Sequence, residues 1–247
     1  NVCKWVYNKF VEQSQKSFLT RNDMNYILTE LKQSESWLYN YHSKMLQMVS
    51  TQLEGSEKAI IELNKKGHKT GQLRFARYNE FRTFTYNQTV FKLDNNKLFL
   101  SKIGNIKIKK HRDTPDNIKQ VIVTRSKSGK WYACMTCERV NVNPPKIDFT
   151  KAVGIDVGIK SFAYDSDKHN TPNPLNLKKM LKPLVRVQRK VSRRVRGSNN
   201  RLKAIRHLQR IHERITNKRN DFQHKLSSTY ANHYDVIFVE DLQLTNM

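Results

Sequence analysis

Two aliphatic runs that each carry an acid constrain the fold of this chain more than any other feature. The first run is VGIDVG at residues 153–158, which contains Asp156, and the second is VIFVED at residues 236–241, which contains Glu240. Short aliphatic runs of this kind are typical of buried β-strands. Because side chains alternate along a strand, each acid lies on one defined face of its run. If the two strands are neighbours, Asp156 and Glu240 can converge.

A pair of converging carboxylates predicts a metal site. Two close carboxylates repel each other unless a proton or a cation lies between them. Hard oxygen ligands suit Mg²⁺ or Mn²⁺, and this layout serves two-metal cleavage of phosphodiesters. The alternative is that both acids simply end their strands or accept hydrogen bonds from backbone amides. Asp241 faces away from Glu240 and is predicted to form hydrogen bonds, whereas Asp165 and Asp167 are predicted to close a turn.

The chain of 247 residues is strongly basic, with 46 Lys and Arg against 21 Asp and Glu and a net charge of +25. Residues 178–225, the basic block, contain 17 of these cations and only two acids, Glu213 and Asp221, so the block alone carries +15. A charge of this size indicates a polyanionic partner, with nucleic acid ahead of an anionic membrane surface. No stretch approaches the apolar length that a membrane-spanning helix needs, and three cysteines do not make a disulfide scaffold.

The basic block is predicted to form long helices over residues 175–233, broken near Gly197. An apolar stripe follows Asn200, and the rest of that surface has almost no acids. A basic surface with almost no acids favours phosphate contact, although a solvated charged face is the alternative. The residues predicted to contact nucleic acid are Arg189, Arg193, Arg194, Arg201, Arg206, Arg210, Arg214 and Lys218.

Local signals predict a mixed fold of class α+β and α/β in two domains. Residues 1–149 should combine helices over residues 1–67 with short strands over residues 70–142, which favours a small antiparallel barrel. A capping box is predicted at Thr20, and the sequence from Asn143 to Pro145 indicates a linker. Residues 150–247 should form the second domain. Its predicted strands cover residues 152–157, 161–165 and 235–242. The first and the last are of the buried type, and the second follows the first across a tight turn.

Two longer segments resemble the first and second motifs of the RuvC-type nuclease domain in TnpB proteins. TnpB proteins are transposon-encoded, OrfB-type relatives of the type V CRISPR effectors. The two segments are VGIDVGIKSFAYDSD and YDVIFVEDLQLTNM. Further segments match the family in the right order: CKWVYNKFVE, GQLRFARYNEFRTFTYNQ, GNIKIKKHR, SGKWYACMTCE and the Arg-rich stretch between the two acidic motifs. The resemblance covers most of the chain.

The resemblance implies an RNase H-like catalytic domain, a wedge-like barrel with a helical recognition insert, and RNA-guided cleavage of DNA. Guide RNA and target DNA are the implied partners, Mg²⁺ or Mn²⁺ the implied cofactor, and the prokaryotic cytoplasm and nucleoid the implied location. Asp156 matches the first catalytic aspartate of the family and Glu240 the catalytic glutamate. The family also places contacts to a short duplex motif near Arg74, Arg77 and Tyr78.

The family's third catalytic aspartate and its four-cysteine zinc ribbon lie further downstream than Met247. Zinc is therefore expected only outside this chain, and residues 1–247 alone are expected to be inactive. The chain is expected to be truncated at both ends. A non-catalytic nucleic-acid-binding accessory or regulator of a transposon is the main alternative function. An actin-like phosphotransferase, suggested by the Asp-x-Gly-x-Lys turn after Asp156, conflicts with the basic block. Cys134 and Cys137 lie on opposite faces of a predicted strand and are expected to be structural or surface cysteines.

Overall fold

The computed structural model describes residues 2–77, 81–87, 90–114, 117–138 and 146–240. The chain forms two compact units, Asn1–Ser126 with Lys130–Val140 and Lys127–Gly129 with Asn141–Met247. The predicted linker from Asn143 to Pro145 lies outside the described residues. That the two units are a wedge-like domain and a nuclease domain stays a prediction.

The first unit begins with a helical part, as the apolar periodicity predicts. Its elements are α1 (Val2–Ser14), α2 (Arg21–Ser34), a 3₁₀ turn (Ser36–Asn40) and α3 (Ser43–Lys65). The predicted capping box is confirmed, because Thr20 Oγ1 accepts from Asp23 N at 3.3 Å and Asp23 Oδ2 accepts from Thr20 N at 2.8 Å. Gly67 follows α3 with φ +78°, a conformation that glycine adopts without strain.

Six strands complete the first unit and form two antiparallel sheets. They are β1 (Thr83–Asn87), β2 (Phe91–Asp94), β3 (Lys97–Leu100), β4 (Gly104–Lys107), β5 (Ile118–Arg125) and β6 (Trp131–Cys137). One sheet has the order β1-β5-β6 and the other β2-β3-β4. Strands β2 and β3 form one hairpin around Asn95, and β5 and β6 form another, which Gly129 turns with φ +95°. Closure of these strands into a barrel stays a prediction.

The helices and both sheets of the first unit share one hydrophobic core. Phe10 of α1, Leu46 of α3, Tyr86 of β1 and Leu98 of β3 are all almost fully buried within it. This common core positions the segment that joins α3 to β1, where Arg74 and Arg77 are found.

The second unit contains a mixed sheet and two long helices. Its elements are β7 (Ala152–Asp156), β8 (Ser161–Asp165), β9 (Asn170–Pro172), α4 (Asn176–Ser192), α5 (Asn199–His233) and β10 (Val236–Val239). The strand order is β10-β7-β8-β9, with β10 and β7 parallel and the other pairs antiparallel. The expectation that the two acid-bearing runs are neighbouring strands is therefore confirmed.

Helices α4 and α5 form an antiparallel hairpin with a small core of its own. Leu184 of α4 packs with Ile211 and Ile215 of α5. Further along α5, Phe222 meets Phe162 of β8 edge-on, with ring centroids 4.8 Å apart. In the part of the chain that the structure describes, no helix combines the length and apolarity needed to cross a membrane.

One expectation for the second unit is wrong. The run around β10 was expected to be buried, but Phe238 is 64% exposed and Val239 is 61% exposed. The reason is that β10 is the edge of the sheet, and no described residue pairs with its outer side. Asp165 closes the turn between β8 and β9, as predicted, because its carbonyl accepts from Lys168 N at 3.0 Å, but it is also only 3% exposed. Its burial follows from the packing of α5, which a local turn signal does not report.

Candidate functional site

The register between β7 and β10 brings the two predicted carboxylates to the same edge of the sheet. Val239 lies opposite Ile155 in this parallel pair. Continuing the register by one residue sets Glu240 opposite Asp156, across a strand spacing of about 4.8 Å. Both side chains are exposed, and neither forms a hydrogen bond with any described residue. The carboxylates are therefore free to bind a cation, while their catalytic role stays a prediction.

The other face of the sheet is held by α5 through a buried aspartate. The Tyr230 hydroxyl donates to Asp165 Oδ2 at 3.0 Å, and the His169 backbone N–H donates to Asp165 Oδ1 at 2.8 Å. Burial raises the pKa of Asp165, but these hydrogen bonds outweigh it and hold the pKa below its ordinary value. Burial, together with the bond to Asp165, raises the pKa of Tyr230.

A second tyrosine repeats this contact one helical turn later. The Tyr234 hydroxyl donates to Asp167 Oδ2, and this bond raises the pKa of Tyr234 to about 12. Asp235 then donates its backbone N–H to the Lys151 carbonyl at 2.9 Å, immediately before β10 begins. The two tyrosine–aspartate contacts thus fix the end of α5 at the point where the chain enters the strand that leads to Glu240.

The carboxylate edge fits a hard divalent cation with an incomplete set of protein ligands. Mg²⁺ commonly uses one or two carboxylates and keeps water or substrate phosphate in its remaining positions. Within the described residues, no three His, Cys, Asp or Glu side chains are grouped to hold a metal ion. Cys134 is exposed and Cys137 is half-buried, and both are free thiols. Their structural or surface role stays a prediction. Asp241 lies outside the described residues.

The basic block forms a cationic groove on the α4–α5 hairpin. No acid occurs between Asp167 and Glu213, so α4 and the first part of α5 carry positive charge alone. One cavity of about 780 Å³ lies between the helices, and another of about 860 Å³ runs along α4. The cations that line both are Lys182, Arg186, Lys190 and Arg194. None of these four has an acidic partner among the described residues, so the groove is open to phosphates.

Of the contacts predicted from the sequence, Arg189, Arg193 and Arg194 line the cavity along α4. The predicted α5 contacts are exposed but line neither cavity: Arg206, Arg210, Arg214 and Lys218. Sequence reasoning missed four lining cations, Lys182, Arg186, Lys190 and Lys203. The acid-free run was a signal that could have found them, because it covers all four.

Arg201 differs from the other predicted contacts. Its Nη1 donates to the carbonyls of Val191 at 3.1 Å and Arg194 at 3.0 Å, at the end of α4. Helices leave their last carbonyls without intrahelical partners. Arg201 donates to one carbonyl of the last turn of α4, that of Val191, and to the Arg194 carbonyl just after the helix. The structure thus gives this guanidinium an internal role in joining α4 to α5.

The segment that precedes β1 is fixed by a side chain of α1. The Asn8 amide donates to the Ala76 carbonyl at 3.2 Å and accepts from the Ala76 N–H at 2.7 Å. Arg74 lies within a groove of about 670 Å³ that Tyr7 and Gln52 also line. Arg77 is exposed, and Tyr78 lies outside the described residues. Their predicted contact with nucleic acid stays a prediction.

A pair of free carboxylates at a sheet edge, accompanied by a cationic hairpin with almost no acids, is typical of proteins that act on nucleic acid. Comparison with known proteins is consistent with this class. A sequence model of the OrfB type, described as "Probable transposase", matches residues 134–247. The chain is 31% identical over 256 residues to "Putative RNA-guided DNA endonuclease InsQ" of Escherichia coli strain K12, which covers 99% of this chain and 61% of that protein.

Two other relatives carry similar names. The chain is 31% identical over 253 residues to "Putative RNA-guided DNA endonuclease" of Streptomyces pristinaespiralis, covering 98% of this chain and 61% of that protein. It is 34% identical over 100 residues to "Putative RNA-guided DNA endonuclease Rv2885c" of Mycobacterium tuberculosis, covering 38% of this chain and 22% of that protein. The chain is similar to the OrfB-type transposase family, and the resemblance to TnpB proteins is confirmed. It spans 61% of the length of the first two relatives.

Proposed function

We propose that this chain is part of an RNA-guided, metal-dependent DNA endonuclease of a transposable element, with a RuvC-type, RNase H-like catalytic domain. The parallel register of β7 and β10, which aligns Asp156 with Glu240, is the observation that carries the proposal. The names of the relatives supply RNA guidance and DNA as substrate. Because the chain spans only part of those relatives, the activity is proposed for the complete protein.

The carboxylate edge and the α4–α5 groove of the second unit have different roles. Asp156 and Glu240 hold the cation, and the α4–α5 groove holds phosphates of the nucleic acid. A bound Mg²⁺ supplies activation of water and stabilisation of the charge that develops on the phosphodiester. Base pairing with the guide reads the target sequence, so the protein needs mainly backbone contacts to grip the heteroduplex. The cations of the groove fit that requirement, because they have no acidic partner to compete with phosphate.

The proposal is tested by replacing each carboxylate in the complete protein bound to its RNA. Asp156→Ala and Glu240→Ala should each lower the rate of Mg²⁺-dependent DNA cleavage by at least about 100-fold, since the cation contributes several kcal/mol. Binding of nucleic acid should stay nearly unchanged, because the α4–α5 groove, and not these two acids, holds the phosphates.

The matched control for these variants is Asp113→Ala. Asp113 is an aspartate of the first unit whose side chain is fully exposed and pairs only with Lys110. It should leave both cleavage and binding unchanged. Full cleavage by both Asp156→Ala and Glu240→Ala contradicts the assignment. Loss of cleavage together with loss of binding contradicts the assignment of cation binding to the carboxylates and of phosphate binding to the groove.

A non-catalytic nucleic-acid-binding accessory protein is the second candidate. The observation that favours it is that the described residues bring only two carboxylates together. The two candidates differ in one measurement, which is Mg²⁺-dependent nicking of guide-matched DNA by the complete protein. Nicking supports the endonuclease, and tight binding with no nicking over a range of Mg²⁺ and Mn²⁺ concentrations supports the accessory protein.

A further inference from the structure

The carboxylate pair is one end of a row of side chains that crosses the whole sheet of the second unit. Asp156 of β7 lies directly opposite Tyr164 of β8, and Tyr164 lies directly opposite Asn170 of β9. Glu240 continues the row on the other side of Asp156. Residues that face each other across neighbouring strands point to the same side of a sheet, so these four side chains share one face.

The opposite face of the same strands is buried within the fold. Val153 of β7 and Ala163 and Asp165 of β8 are buried there, and Asp165 binds Tyr230 of α5. The face that carries the row is open by contrast. We call it the open face, defined by Glu240, Asp156, Tyr164 and Asn170. All four side chains are exposed.

No contact within the described residues explains why an aromatic residue occupies position 164. The side chain of Tyr164 is 47% exposed, and it forms no hydrogen bond or ring contact with any described residue. Asn170 likewise has an amide with no hydrogen-bond partner among the described residues. Opposed Cβ atoms in an antiparallel pair are about 5 Å apart, so the side chains of Tyr164 and Asp156 leave the sheet as neighbours.

We propose that Tyr164 and Asn170 form a nucleotide-binding subsite next to the carboxylate pair, an inference that rests on the proposed function. The Tyr164 ring stacks on the nucleoside that adjoins the phosphate held near Asp156, and the Asn170 amide hydrogen-bonds to the same nucleotide. Aromatic rings stack on any base, so the subsite holds single-stranded DNA without selecting its sequence. Stacking orients the strand so that its phosphate meets the carboxylate edge.

Cleavage by the complete protein with its guide RNA gives the first test. Tyr164→Ala should lower kcat/KM for guide-matched DNA by about 5- to 150-fold, the range expected for loss of one base–aromatic stack. Tyr164→Phe should retain most of the activity because it keeps the ring. Tyr26→Ala is the matched control, since Tyr26 is 72% exposed and belongs to the first unit. Equal activity of Tyr164→Ala and wild type overturns the inference.

A binding measurement without cleavage gives the second test. The probe is a short single-stranded oligodeoxynucleotide that contains 2-aminopurine, whose fluorescence falls when the base stacks. In buffer with EDTA, wild type and Tyr164→Phe should quench the probe, and Tyr164→Ala should quench it less. Asn170→Ala should weaken binding of the probe while retaining the quenching at saturation. Equal quenching by wild type and Tyr164→Ala overturns the inference.

The two tests separate this inference from the proposed function. If Asp156→Ala and Glu240→Ala abolish cleavage while Tyr164→Ala behaves as wild type in both tests, the endonuclease stands and the subsite is wrong. If the carboxylate variants cleave normally while Tyr164→Ala loses quenching, the proposed active site is wrong and the open face still binds single-stranded DNA. Because Tyr164 is exposed, its substitution by Ala should leave the thermal unfolding midpoint unchanged, which circular dichroism verifies.

Discussion

Tyr230 joins the end of α5 to the sheet through one hydrogen bond to a buried carboxylate. Tyr230→Phe removes that bond and leaves Asp165 Oδ2 without its donor in a buried site. The expected loss is about 1.5–3 kcal/mol of unfolding free energy, the usual range for a bond to a charged group. Urea denaturation measures the loss. Tyr26→Phe, at an exposed position, should change the free energy little, and an equal loss in both variants contradicts the prediction.

Asp165 itself should make the stability of the protein depend on pH. Its pKa is lowered in the folded state, so the carboxylate stabilises the fold above its ordinary pKa and loses this contribution as pH falls through the folded-state value. The difference in unfolding free energy between wild type and Asp165→Asn should therefore be largest near neutral pH. It should shrink as pH falls below about 4, the ordinary pKa of an aspartate.

Urea denaturation at a series of pH values measures this difference. For the control substitution Asp113→Asn, the difference from wild type should stay small at every pH, because the Asp113 side chain is fully exposed. A difference for Asp165→Asn that is constant from neutral to acid pH contradicts the prediction.

At the scale of single residues, the positions that strand alternation sets were predictable from the sequence. The burial and the partners that packing between distant elements sets were not. The alignment of Asp156 with Glu240 followed from two aliphatic runs and their period of two. The burial of Asp165 did not, because it requires Tyr230, which is distant in the chain and approaches only when α5 packs on the sheet. Arg201 was taken as a surface cation for the same reason, since its carbonyl partners lie on another helix.

At the scale of elements, the α4–α5 groove should contribute most of the electrostatic binding. Reversing Lys182, Arg186 and Lys190 to Glu removes three cations that line both cavities. The slope of log Kobs against log salt for duplex DNA should become shallower by about 3, because each phosphate contact contributes about 0.9. Fluorescence anisotropy at several salt concentrations measures the slope.

The matched control reverses three cations of the first unit, Lys9, Lys58 and Lys65, which are each paired with a glutamate of their own helix. These three reversals change the net charge by the same amount as the three in the groove. The slope of log Kobs against log salt should stay almost unchanged. A second set, Arg206, Arg210 and Arg214, lies outside both cavities. If reversal of this set alone makes the slope shallower, the outer surface of α5 and not the groove contacts the phosphates.

The elements that carry strong local signals were predictable, and those that depend on their surroundings were not. The hairpins around Asn95 and Gly129 have turn residues that fix their geometry, and the helices have apolar periodicity and caps. Strand β9 was missed, because the three residues Asn170–Pro172 show no alternation and pair only with β8. The exposure of β10 could not be read from its aliphatic sequence, which is the same for a central strand and an edge.

At the scale of the whole molecule, the positive charge exceeds what a cleavage site requires. The basic block carries +15, and the remaining residues still carry +10. We expect the complete protein to co-purify with RNA, shown by high absorbance at 260 nm that falls after a high-salt wash. Clean protein that binds duplex DNA tightly and ignores structured RNA contradicts this prediction and favours a DNA-only transposase or regulator.

The number of carboxylates sets a second expectation at this scale. Residues 1–247 on their own should bind nucleic acid and show little or no Mg²⁺-dependent cleavage. The described residues bring only two carboxylates together, and two carboxylates do not fix two cations for in-line attack. A nicking assay on supercoiled DNA measures this directly. Robust cleavage by residues 1–247 would instead require a third ligand from within the chain, with Asp241 the first position to replace by Ala.

Under the proposed function, the α4–α5 hairpin, which has almost no acids, would make nucleic acid a folding ligand as well as a substrate. Its core consists of a few aliphatic contacts around Leu184 and Ile211, while its like charges repel one another. A polyanion that binds only the folded hairpin adds stability in proportion to the logarithm of its free concentration. Protein without nucleic acid then opens this hairpin more often and exposes a dense run of Lys and Arg to trypsin-like proteases. Proteolysis in the cell would remove empty molecules and spare loaded ones, so the surviving population is enriched in assembled complexes.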